Sequence, residues 1–134
     1  MVRTANQRKK EAHILLIVYE HFVRDILARM LTDRGHTVVT CAAGVDGIRM
    51  FGKNKKKFDV VMSDIALPGI SGFTVAKQIK EVSQKTPILL LKGPDKELDL
   101  TRFKESGADL LINRPLTMHN TVHLVEGLIE METG

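Results

Sequence analysis

Residues 58–72 read FDVVMSDIALPGISG, an apolar run that closes on one aspartate, Asp64, followed at once by a Pro-Gly turn and a further glycine. This places a carboxylate where a buried strand meets a loop. Such a group can take part in chemistry or anchor cations, and its neighbours decide which. The chain's function is therefore expected to centre on Asp64.

Other sources of chemistry fall away. A dinucleotide site wants G-x-G-x-x-G after the first strand and a nucleotide triphosphatase wants G-x-x-x-x-G-K-[ST]; the corresponding turn here reads VYEHFVRD, without glycine. It also lacks the Ser, Thr and Gly that would offer backbone N–H groups to a flavin phosphate. His13, His21, His36, His119 and His123 are scattered. His119 and His123 stand four apart at helical spacing, but with no third ligand and no H-E-x-x-H glutamate they read as surface residues.

The elements that must position Asp64 follow from apolar periodicity. Ile14 to Val18 (ILLIV) is too short for a helix and rich in β-branched residues, so it reads as a strand buried on both faces. Phe22, Val23, Ile26, Leu27, Met30 and Leu31 recur at three and four, marking an amphipathic helix that Gly35 stops. TVVTC at 37–41 is a second strand, and Val45, Ile48 and Phe51 mark a short helix ending near Gly52. DVVMS at 59–63 is the third strand; Phe73, Ala76 and Ile79 give a third helix that ends before Pro87. ILLL at 88–91 is the fourth strand. From Asp95 to Ser106 only Leu98, Leu100 and Phe103 are available for burial, which makes this helix the least firmly held. DLLI at 109–112 is the fifth strand, and Met118, Val122, Val125 and Ile129 mark a closing helix.

Five strands alternating with five helices imply right-handed crossovers and an α/β fold, its parallel sheet covered on both faces. In such open sheets the site lies beyond the carboxyl ends of the strands. That selects Val18, Tyr19 and Glu20 after the first strand, Asp64 after the third, Lys92 after the fourth and Arg114 after the fifth.

The 134 residues suit one domain with a proper core, and the 43% apolar content is ordinary for a globular protein. The single cysteine, Cys41, has no partner in the chain, which points to a reducing, cytoplasmic setting. No apolar run approaches the roughly 20 residues of a membrane helix, and no export signal is read. Arg3, Arg8, Lys9 and Lys10 against Glu11 carry +3 of the net +4, so residues 1–12 are expected to form a flexible basic tail ahead of a domain at 13–134. Specific nucleic-acid binding is not expected.

With these residues in place, the chain resembles the receiver domain of bacterial two-component response regulators over about Ala12 to Glu132. DIALPGISG resembles the phosphoacceptor loop, ESGADLLINRPL the end of the fourth helix and the fifth strand, and VRDILARMLTDRGHTVVTCAAGVDGI the first helix through the second. The resemblance implies a flavodoxin-like three-layer sandwich with strand order 2-1-3-4-5, and it puts Asp64 at the phosphoacceptor position. The remaining site positions depart from the family pattern. Two acidic Mg²⁺-holding residues are replaced by Val18 and Tyr19, with Glu20 one place on; the Ser or Thr after the fourth strand is Lys92; the Lys before proline is Arg114; the aromatic switch position is Leu111.

A usual site of three carboxylates and one lysine carries excess negative charge for a hard dication to offset. Here Asp64 faces Lys92 and Arg114, so Mg²⁺ binding is expected to be weak or absent, no cofactor is expected, and Lys92 or Arg114 is expected to reach Asp64. The resulting expectation is a receiver with a degenerate metal site, not an enzyme, acting through a protein partner such as a histidine kinase or a downstream effector, as a monomer or weak dimer. The alternatives are a receiver normally phosphorylated on Asp64 and a small-ligand-binding flavodoxin-like domain.

Overall fold

The structure is a computed structural model describing residues 11–53, 58–94, 96–113 and 118–133. Residues 1–10 of the expected tail, and Arg114, lie outside the described residues. Ten elements alternate along the chain: β1 (His13–Ile17), α1 (His21–Asp33), β2 (Thr37–Cys41), α2 (Gly44–Lys53), β3 (Val60–Asp64), α3 (Gly72–Val82), β4 (Ile88–Lys92), α4 (Leu100–Ser106), β5 (Leu110–Asn113) and α5 (Met118–Thr133). The sheet order is β2-β1-β3-β4-β5 and every pairing is parallel, as the resemblance implied.

Alternation along the strands divides the interior in two. Ile14, Leu16 and Val18 point to the side covered by α1 and α5, where they meet Leu27, Leu31, Val122, Val125 and Ile129. Leu15 and Ile17 point the other way, to Phe51 of α2 and to Phe73, Val75, Ala76 and Ile79 of α3. Successive strand side chains face opposite sides, so a strand covered on both faces must be apolar at every position, as ILLIV is. Each fully buried Leu or Ile contributes about 1.5–3 kcal/mol.

Strand ends move by one residue from the expectation. β1 and β5 each shift by one, β3 extends through Asp64, and β4 extends through Lys92, so both site residues terminate strands within the ladder, where Asp64 pairs in register with Leu91 and Lys92 with Asn113. α4 is also shorter than the periodicity suggested. Asp99 caps it by accepting the Arg102 N–H at 3.1 Å, and Gly107, at φ +80°, ends it in the left-handed conformation that glycine takes without strain. Capping at Asp99 puts Leu100 in the first turn with its side chain 53% exposed, so of the three apolar residues expected to hold this segment only Leu98 and Phe103 pack inward.

Candidate functional site

Asp64 closes β3 and is 4% exposed. Its side-chain Oδ2 accepts the Tyr19 N–H at 3.0 Å, so the turn after β1 is bonded directly to the carboxylate. The backbone on either side is fixed as well: Ser63 Oγ donates to the Asp64 carbonyl at 2.9 Å, and Ile65 N–H donates to the Leu91 carbonyl at 2.9 Å.

The loop from Asp64 returns tightly to α3. Gly72 N–H donates to the Ile65 carbonyl at 2.8 Å, and a Cβ on Gly72 would stand 2.1 Å from the Asp64 carbonyl oxygen. Only glycine lets the first residue of α3 approach this backbone. Ser71 caps α3 through its Oγ, which accepts the Thr74 N–H at 3.3 Å, and that same Oγ accepts from Arg102 of α4 at 3.1 Å. The Arg102 guanidinium also lies 4.9 Å from the centre of the Phe73 ring. α4 is thereby tied to the start of α3, immediately downstream of the Asp64 loop.

The residues singled out after β1 separate sharply. Val18 is completely buried in the core shared with α1 and α5, and its N–H donates to the Cys41 carbonyl at 3.0 Å. Tyr19 has its side chain out, 57% exposed, and contributes only its amide to Asp64. Glu20 is exposed and occupies the N-cap position of α1, without a capping bond from its side chain. Among the described residues, no group of three or more His, Cys, Asp or Glu stands where it could hold a metal ion.

Lys92 does not go where its charge suggested. Its Nζ donates to the Gly93 carbonyl at 3.1 Å and to the Lys96 carbonyl, and among the described residues no ion pair joins it to Asp64. The ammonium turns into the loop between β4 and α4, where two carbonyls satisfy it within four residues of its own backbone. The other expected partner, Arg114, falls outside the described residues.

One cation near the site was not anticipated. Arg24, in the second turn of α1, donates from Nη1 to the Val18 carbonyl at 2.9 Å and to the Tyr19 carbonyl at 3.0 Å. Its Nη2 lies 3.4 Å from His21 Nδ1. The available signal was distance along the chain: a helix that starts directly after a strand brings its early basic residues back over the strand's last carbonyls.

Comparison with known proteins agrees with this architecture. The chain is 36% identical over 103 residues to the transcriptional regulatory protein AfsQ1 of Streptomyces coelicolor, covering 77% of this chain and 44% of the relative. It is 32% identical over 111 residues to the transcriptional regulatory protein TcrA of Mycobacterium tuberculosis, covering 83% of this chain and 43% of the relative. It thus spans less than half the length of these curated relatives. Among solved structures, a response regulator receiver domain protein from Clostridium thermocellum superposes with a TM-score of 0.81 at 25% identity, covering 91% of this chain and 97% of that one. A CheY-like receiver domain protein from Methanospirillum hungatei reaches 0.85 at 16% identity, covering 92% and 98%, a likeness of fold alone. The family model for the response regulator receiver domain matches residues 14–126, and the chain belongs to that family.

Proposed function

We propose that this receiver has a degenerate metal site and signals mainly by binding a partner protein, without the usual Mg²⁺-dependent phosphorylation of Asp64. The observation that carries the reading is the fate of Val18 and Tyr19, at the positions where the resemblance implies two acidic metal ligands. Val18 is sealed in the core and Tyr19 turns its side chain to solvent. A hard dication wants several oxygen ligands, and these two side chains supply no carboxylate. The donor set therefore does not fit Mg²⁺. Lys92, at the Ser or Thr position, is engaged with its own loop and supports the same reading.

Receiver domains are signalling domains that interact with histidine kinases and effector domains, and for this chain we place the partner surface on α4, β5 and α5. Leu100 on α4 and Leu124 on α5, 53% and 41% exposed, support that placement. The free Cys41 supports a cytoplasmic setting. Among the described residues, no helix is long and apolar enough to cross a membrane.

Titrating Mg²⁺ and then beryllofluoride into the protein while recording backbone NMR shifts tests the reading. No saturable change around Asp64 at millimolar metal is expected. Saturable shifts at Asp64, Ile65 and Lys92 in that range would instead establish an ordinary phosphorylated receiver.

A further inference from the structure

The peptide group joining Val18 to Tyr19 is held at both ends by opposite charges. Its carbonyl oxygen accepts from Arg24 Nη1 at 2.9 Å, and its N–H donates to Asp64 Oδ2 at 3.0 Å. Guanidinium, peptide and carboxylate thus form one hydrogen-bonded series across the turn from β1 to α1. We propose that Arg24 is a positioning residue for Asp64, acting through this single peptide, and that the first turns of α1 are thereby coupled to the chemical state of the Asp64 carboxylate.

A cation bonded to a peptide oxygen draws electron density toward it and makes the N–H on the same plane a stronger donor, so the two bonds reinforce each other. The effect is largest where water is excluded. Val18 is fully buried and Asp64 nearly so, and both bonds of the series are part-buried, so solvent screens its carboxylate end least. The guanidinium stays charged at any ordinary pH and its donors are fixed in a plane, which makes it a permanent source of this polarisation. The second bond from the same Nη1, to the Tyr19 carbonyl at 3.0 Å, anchors the cation to the far side of the turn. Nearby polar groups leave the series intact: His21 lies 3.2 Å from Asp25 through Nε2 and 3.4 Å from Arg24 Nη2 through Nδ1, and Lys92 serves its loop carbonyls.

The coupling runs outward as well. Neutralising Asp64, or occupying Oδ2, weakens the hydrogen bond from the Tyr19 N–H and with it the grip of Arg24 on the β1–α1 turn. That turn and the first turn of α1 display Tyr19 and Phe22, 57% and 73% exposed, two of the large apolar side chains open to solvent. A surface of this kind changes its mobility when Asp64 changes its charge. The inference goes beyond the proposed function, because it depends on the carboxylate and the amide and holds whether or not a metal binds.

The test is NMR on the full chain, following the Tyr19 amide proton, which a carboxylate acceptor moves downfield. Arg24→Gln, which keeps a donor but loses the charge, is expected to move that resonance upfield; Arg24→Lys, which keeps the charge, is expected to retain most of the wild-type shift. Asp64→Asn is expected to move the same resonance upfield, and adding Arg24→Gln to it is expected to do little more. A Tyr19 resonance indifferent to Arg24→Gln, or two shifts that simply add, would overturn the proposal. Should Arg24→Gln not fold, the wild type and Asp64→Asn decide alone. The guanidinium protons of Arg24 then exchange with water faster in Asp64→Asn, and equal exchange rates would refute the coupling. Metal titration plays no part in these measurements, so their failure and the failure of the proposed function are told apart.

Discussion

Glu126 of α5 meets His36, at the head of β2, with 2.8 Å between Oε2 and Nε2. Nδ1 of the same ring accepts the Ala12 N–H at 3.2 Å, so the ring proton sits on Nε2 and is donated to the carboxylate. Arg34 completes the set with bonds from Nε at 2.7 Å and Nη2 at 2.6 Å to the two carboxylate oxygens. One glutamate thus joins the start of β1, the end of α1, β2 and α5, at the end of the sheet opposite Asp64.

This network predicts how stability responds to acid. Burial pushes the Glu126 carboxyl up, but the hydrogen bonds from Arg34 and His36 and the charge of Arg34 outweigh it and hold the group at about 2, against an ordinary 4.5. A carboxyl depressed in the folded state stabilises the fold fully above its unfolded value, and that contribution is lost as pH falls toward the folded value. Stability measured by urea unfolding should therefore drop from about pH 4.5 toward pH 2. Glu126→Gln is expected to cost about 1–2 kcal/mol at neutral pH, discounted because Arg34 is partly solvated, and to shrink the acid-dependent loss over that window. An unchanged acid profile in the variant would remove Glu126 as its source.

Gly72→Ala is expected to destabilise the fold, against the usual gain of about 1 kcal/mol for alanine over glycine inside a helix. The added methyl would meet the Asp64 carbonyl oxygen and the Ile65 Cα at 2.1 and 2.8 Å, and backbone cannot step aside as a side-chain tip can. Overpacking of this sort costs about 1–3 kcal/mol. Thermal unfolding measures it, and backbone amide shifts at Asp64 and Ile65 should move with it; a neutral melting temperature would show that α3 slides instead.

Removing the tie between α4 and α3 should loosen α4 selectively. Arg102→Ala deletes the bond to Ser71 Oγ and the cation–π contact with Phe73, together about 1 kcal/mol at a partly exposed site. Amide hydrogen exchange is expected to quicken in 100–106 with little change in β3 or β4. Equal acceleration throughout the sheet would mean that Arg102 supports the whole domain.

Lys92→Met keeps the length of the side chain and removes its bonds to the carbonyls of Gly93 and Lys96. The expected result is faster amide exchange at Gly93 and across 96–99 and a local cost of about 1–2 kcal/mol. If Lys92 serves Asp64 in solution, the perturbation will instead appear at Asp64 and Tyr19.

The fold was legible because both faces of the sheet are covered, which forces ILLIV and ILLL to be apolar without interruption and DVVMS to be apolar through its centre, Val60 to Met62. The break in period at Phe22 and the stops at Gly35 and Gly107 set the helices, and Asp64 stood out as the charge at the end of such a run. Contacts between remote segments were not legible. Lys92 or Arg114 was expected at Asp64 on charge alone; of the two, Lys92 has three donors on a flexible stem and the folded loop presents carbonyls nearer by, while Arg114 lies outside the described residues. Arg24 escaped notice because its helical position places it among the charged residues of α1, where a solvated side chain is the ordinary reading; its targets are backbone oxygens, marked in the sequence only by its place early in a helix that directly follows a strand. Leu100 failed as a core residue because the cap at Asp99, which depends on local geometry, decided where the helix begins.

The contrast between Val18 and Tyr19 makes the two positions unequal hosts for an acidic side chain. An acid at position 19 would replace a side chain already in water, a step of little consequence for folding. An acid at position 18 would give up about 1.5–3 kcal/mol of apolar burial and place a charge against Leu27 and Leu31, with a further penalty of several kcal/mol unless a cation arrives with it. Acidic substitution is therefore tolerated at Tyr19 and opposed at the sealed valine beside it.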